Sequence, residues 1–199
     1  MPIEMLTVLK TAHLLAIAAA LGSALAADAL LVLRGVFRPI TAVTMETARF
    51  LAQFVLVGLV AVWATGIPLA IKIYQANPEF VGNDKFWVKV FIVAVLSING
   101  LIIHRIVLPH VAAQQGRRLF DGLGSRKRLA LAAVGGVSFV SWMFPMFLGA
   151  AKELSYVVPA HQLMEAYCLA LAAAVTALSV LALTVGRHAA SNPYEPQYQ

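Results

Sequence analysis

Nine side chains hold most of the chemistry this sequence can offer: Lys10, His13, Asp28, Arg49, Lys89, Asn99, His104, His161 and Glu165. His13 and Asp28 stand 15 residues apart, and Lys89 and His104 have the same spacing. On one helix, that spacing is a rise of about 22 Å and a net rotation of about 60°. If the two helices run in the same direction, the groups form two levels. His13 then lies with Lys89, Asp28 lies with His104, and Asn99 falls between. His161, Glu165 and Cys168 stand at i, i+4 and i+7, so they share one face of a further helix. Arg49 and Arg105 would join the Asp28 level.

Two kinds of chemistry suit these groups. Two histidines at one depth on facing helices can hold a b-type haem, with neutral imidazole as axial ligand. His13 and His161 are the candidates, also as metal ligands. Lys10, Lys85 or Lys89 would neutralise propionates, and Lys89 or Glu165 would hold or move protons. Glu165, one turn after His161, would orient that ring or pair with Lys85. The second chemistry is an ion or proton path through Asp28, Asn99, His104 and Arg49. Ionisable groups inside a membrane cost several kcal/mol unless paired or wet, so they mark such paths. The plain alternatives are structural: histidines as interhelical hydrogen bonds, Asp28 paired with His104 or Arg49, and Lys89 snorkelling outward. His104 also reads as an interfacial residue, His110 and His188 as solvated, and Cys168 as a small packing residue.

These groups need helices to hold them, and the composition says where the helices lie. Of 199 residues, 61 % are apolar or aromatic and 12 % are charged. Soluble domains carry about 25 % charged residues. The mean hydropathy is +0.83, which excludes a water-soluble fold. A spanning helix needs about 20 mostly apolar residues. Five stretches qualify, at 5–33, 48–71, 86–108, 129–151 and 160–185, in a single all-α transmembrane bundle over 1–188. Breakers separate them: Arg38-Pro39, Asn77-Pro78, Gly82-Asn83, Pro109 with Gly116, and Pro159. Residues 189–199 read as a polar cytoplasmic tail. The first stretch imitates a signal peptide, but its apolar run continues to Leu33 and is too long for one. Small residues at Ala16, Ala20 and Ala24, and at Ala19, Ser23 and Ala27, predict close helix packing. Pro145 predicts a kink.

Placing the N-terminus outside puts all nine arginines, with Lys127, on the inner side. Lys10, Lys72, Lys85, Lys89 and Lys152 then lie outside. Lysine and arginine favour cytoplasmic loops, so the expectation is a bacterial-type inner membrane, N-terminus outside and C-terminus in the cytoplasm. The basic loop 117–128 reads as a topology signal near anionic lipid, with no nucleic-acid partner. A single cysteine excludes an intramolecular disulfide or a multi-cysteine metal site. No phosphate loop, nucleophile elbow or zinc-protease motif is present.

The string Leu9-Lys10-Thr11-Ala12-His13-Leu14-Leu15 resembles the opening of HemJ-type protoporphyrinogen oxidases. The stretch from Trp87-Val88-Lys89-Val90 to His104 resembles that family's lysine-led third helix. Copper-resistance D (CopD-type) membrane proteins are similar in the same two helices. The resemblance extends from the first span through Pro109. It implies an α-helical bundle binding haem b, with His13 as ligand and Lys89 as functional partner, and a HemJ-like oxidoreductase activity on protoporphyrinogen IX. The CopD likeness implies copper handling, although clustered methionines and a second cysteine, the soft ligands Cu(I) prefers, are missing. Three functions therefore compete: a haem redox protein with an electron-transfer partner, a metal-ion or proton transporter, and a structural subunit of a membrane complex. A homo-oligomer in the lipid bilayer is compatible with each.

Overall fold

A computed structural model describes residues 2–190, with side chains over 5–185. Among the described residues there are helices and no strands. The helices are α1 (Pro2–Leu30), α2 (Ala42–Ala76), α3 (Asp84–Ile102), α4 (Leu108–Ala113), α5 (Ser125–Ala150) and α6 (Ala160–Ala190). Two π-helical turns, Leu31–Val36 and Ile103–Val107, extend α1 and join α3 to α4. Among the described residues five helical stretches are long and apolar enough to cross a membrane: Met5–Val36, Ala42–Ala76, Asp84–Ala113, Ser125–Ala150 and Ala160–Val185. This is the expected multi-span α bundle.

The helices outrun the apolar stretches. α2 begins at Ala42 rather than at Ala48, because the Thr41 hydroxyl accepts from Thr44 N at 3.1 Å and caps the first turn. It ends at Asn77, whose extended backbone precedes Pro78. Pro109, expected to break the chain, instead sits in the first turn of α4. The preceding π turn explains this. Leu108 N donates to Ile103 O, five residues back, and the wider turn relieves the ring–carbonyl clash that breaks an α-helix. The 191–199 part of the expected tail lies outside the described residues.

Small residues set the closest crossings. Gly58 of α2 lies on Ala20 of α1, where an added Cβ would stand 2.6 Å from the alanine Cβ. Gly136 of α5 meets Val175 of α6 in the same way, at 2.9 Å. Of the two predicted stripes, the one through Ala20 and Ala24 is buried, whereas Ala19 is exposed. α3 packs on α5 and α6, and α1 touches α5.

The bundle has two unlike ends. At the lysine-bearing end, Ala160 N donates to Asp84 Oδ2 at 2.8 Å, and Lys85 Nζ donates to Ala151 O at 2.9 Å. A carboxylate thus stands at the N-terminus of α6 and an ammonium at the C-terminus of α5, each matching its helix dipole. At the arginine-rich end, two loops clasp. Ile40 N donates to Arg117 O, Gly116 N donates to Ile40 O (both 2.9 Å), and Leu119 N donates to Gly35 O at 2.7 Å. Val36, Ile40, Met45, Val111 and Phe120 form an apolar cluster beneath the clasp.

Candidate functional site

The polar residues separate into three places. The first is a narrow, partly open cavity of about 110 Å³ between α1, α2, α3 and α5. Asp28, Asn99, His104 and Ser138 supply its polar wall, while Leu59, Leu96 and Trp142 close it apolarly. Asp28 Oδ2 is buried and accepts no hydrogen bond. The expected pairing of Asp28 with His104 or Arg49 is not formed: His104 Nε2 donates to Ala52 O at 3.2 Å, and Arg49 does not line this cavity. Asn99 Nδ2 donates to Val134 O at 3.2 Å, which ties α3 to α5. The predicted Asp28–Asn99–His104 level therefore exists as a shared cavity, with an unpaired carboxylate in place of an ion pair.

Both helices that bring ionisable groups here change winding nearby. The π turn of α1 starts three residues after Asp28, and His104 lies within the second π turn. Such turns carry one residue more than an α turn and are frequent at functional sites. No apolar periodicity announces them, so sequence patterning missed both.

The second place is an open cleft of about 490 Å³ at the arginine-rich end. It is lined by Arg49, Gln53, His104, Leu108, Pro109 and Ala112. His104 and Leu108 line cleft and cavity alike. His104 therefore stands in the wall that the open cleft and the narrower cavity share. Gln53 went unremarked in the sequence, although its i+4 spacing from Arg49 was the available signal.

The third place surrounds His13. The Thr65 hydroxyl donates to Ala61 O at 2.6 Å, so its one proton is committed. His13 Nδ1 lies 2.9 Å from the Thr65 oxygen and must be the donor. In the neutral ring, Nε2 then carries the lone pair. Gly66 makes room for the ring: an added Cβ would stand 2.9 Å from His13 Cε1. Lys89 lies within electrostatic reach of His13, so these two expected level-mates are together. Thr65-Gly66, the partners the sequence did not reveal, read there as two small residues in an apolar helix.

His161 and Glu165 do not join them. Both lie on the exposed face of α6 with Cys168, while Leu163 and Tyr167 on the other face are buried. Cys168 is thus exposed within one copy. Lys85, donating to Ala151 O, is not paired with Glu165. Lys10 is exposed. His110, read as solvated, has a buried Nε2 without a partner. The side chain of His188 lies outside the described ones. Among the described residues no group of three or more His, Cys, Asp or Glu is placed to hold a metal ion.

Comparison with protein-family models, curated proteins and solved structures finds no match.

Proposed function

We propose that this integral membrane protein moves protons through the Asp28 cavity, with His104 as the relay from the cleft and Asp28 as the buried acceptor. One observation carries this reading. A carboxylate oxygen without a partner lines a cavity whose wall holds a histidine that also lines an open cleft. Intramembrane carboxylates and histidines are the usual parts of proton relays. A cavity of about 110 Å³ has room for several waters, because each needs about 10–15 Å³ of such volume. Sites for larger organic ligands begin at roughly 300 Å³, well above this volume. Asp28, Asn99 and Ser138 supply the polar partners that water requires.

The path would continue toward the lysine-bearing end along polar groups of α1–α3. Trp63 Nε1 donates to Ser97 Oγ at 3.1 Å, and the Thr65–His13 pair follows with Lys89 in reach. The arginine-rich end belongs in the cytoplasm by the lysine and arginine distribution, in a bacterial-type inner membrane.

The test is proton flux into proteoliposomes carrying an internal pH dye, under an imposed potential. Wild type is expected to acidify the lumen and Asp28→Asn to match empty vesicles. Wild-type flux no greater than that of empty vesicles overturns the reading.

A second reading is favoured by the His13 tautomer. With Nδ1 held by Thr65, Nε2 would be the nitrogen free to hold a haem, as in ligating histidines whose other nitrogen is anchored. Within one copy His161 lies on the exposed face of α6, so His13 would hold the group with Lys89 nearby. Haem would supply one-electron redox chemistry, consistent with the HemJ-type resemblance.

A further inference from the structure

The cleft beside His104 has its own chemistry. A guanidinium, a carboxamide and an imidazole converge in it from α2 and the π turn after α3, and no carboxylate lines it. Its volume of about 490 Å³ falls in the range of ligand sites. Arg49 offers a planar fork of donors that fits two phosphate oxygens at once. Gln53, one turn further along α2, adds an amide donor. His104 spends Nε2 on Ala52 O and forms the wall of the cleft opposite α2.

Depth narrows the ligand. α2 has 35 residues, about 52 Å of helix, against a hydrocarbon layer of about 30 Å. If the excess is shared, about 11 Å of α2 extends beyond each edge. The helical rise puts the Arg49 backbone about 10 Å in from the start of α2, at the edge of the hydrocarbon, from which its long side chain can reach up to the lipid phosphates. Next to it, Phe50 and Phe54 are exposed, with ring centroids 4.8 Å apart, on the part of α2 that enters the hydrocarbon. Basic pockets between spanning helices on the cytoplasmic side are sites for anionic headgroups.

We infer that this cleft binds the phosphate of an anionic phospholipid, with Arg49 as the charge partner, Gln53 as a further donor, His104 in the wall of the cleft, and the acyl chains lying beside Phe50 and Phe54. The site does not require that protons move through the cavity. It would place a fixed anion next to the group proposed as the relay.

Native mass spectrometry of the purified full-length protein tests it, with equimolar phosphatidylglycerol and phosphatidylcholine as probes. Wild type is expected to retain phosphatidylglycerol preferentially. Arg49→Gln should reduce that retention at least about tenfold, as loss of a charge-assisted hydrogen bond would. Arg126→Gln removes an exposed charge from the same end and should change it at most about fivefold, the effect of one surface cation. Gln53→Leu keeps the charge and serves if Arg49→Gln does not fold; it too should lower retention. Equal retention of both lipids, or Arg49→Gln and Arg126→Gln acting alike, overturns the site. Millimolar inorganic phosphate should not displace the lipid; displacement would make soluble phosphate the ligand and overturn the lipid assignment.

Discussion

The single proton of Thr65 settles which face of the His13 ring can offer reactivity. Because that proton goes to Ala61 O, the imidazole donates through Nδ1 and keeps its Nε2 lone pair. The haem reading therefore makes a definite claim. Protein purified after growth with ample haem should show a Soret band, lost in His13→Ala and weakened in Thr65→Val. A colourless wild type would remove this reading and leave the cavity reading untouched. The residue pairings were only half legible in the sequence. Spacing on a helix gives depth, so His13 with Lys89 and Asp28 with His104 were found. Spacing does not give the rotation of a helix about its axis. α6 shows this well: it is apolar or small on nearly all sides, so nothing marked Leu163 and Tyr167 as the buried face rather than His161 and Glu165.

Helix crossings turn on glycines whose missing side chains admit a neighbour. Gly58→Ala would place a Cβ 2.6 Å from that of Ala20, with the Ala20 backbone at 3.1 Å, so the α1–α2 pair must separate. Overpacking of this kind costs about 1–3 kcal/mol. Gly22→Ala meets nothing within 4 Å and serves as the control. Unfolding followed in detergent should show a lower midpoint for the first and little change for the second. Equal midpoints would mean that this crossing is looser than the structure shows. Five spans were legible because about 20 apolar residues have no other stable home than hydrocarbon or a deep core. Their ends were not. α2 continues back to Ala42, behind its Thr41 cap, through Thr44, Glu46 and Thr47, polar residues that a headgroup layer tolerates in helical form. The π turns also escaped notice, since a local change of winding leaves apolar content unaltered.

The bundle as a whole is asymmetric from end to end, and its charge distribution predicts an orientation that can be tested. With Cys168→Ser as background, Lys152→Cys should react with a membrane-impermeant maleimide in intact cells, and Gln115→Cys only after permeabilisation. The opposite pattern would reverse the orientation and place the Arg49 cleft on the outer side. Both positions are exposed. The clasp at the arginine-rich end bears on how the molecule comes into being. Ile40 leaves the ribosome with the first helical hairpin, yet both of its backbone bonds are to Gly116 and Arg117, which are made only after α2, α3 and α4. Until then its amide and carbonyl must be satisfied by water. The first hairpin thus waits in the membrane with an unfinished edge. The loop after α4 supplies both partners, so this end of the first hairpin is complete only when the chain has been made through Arg117.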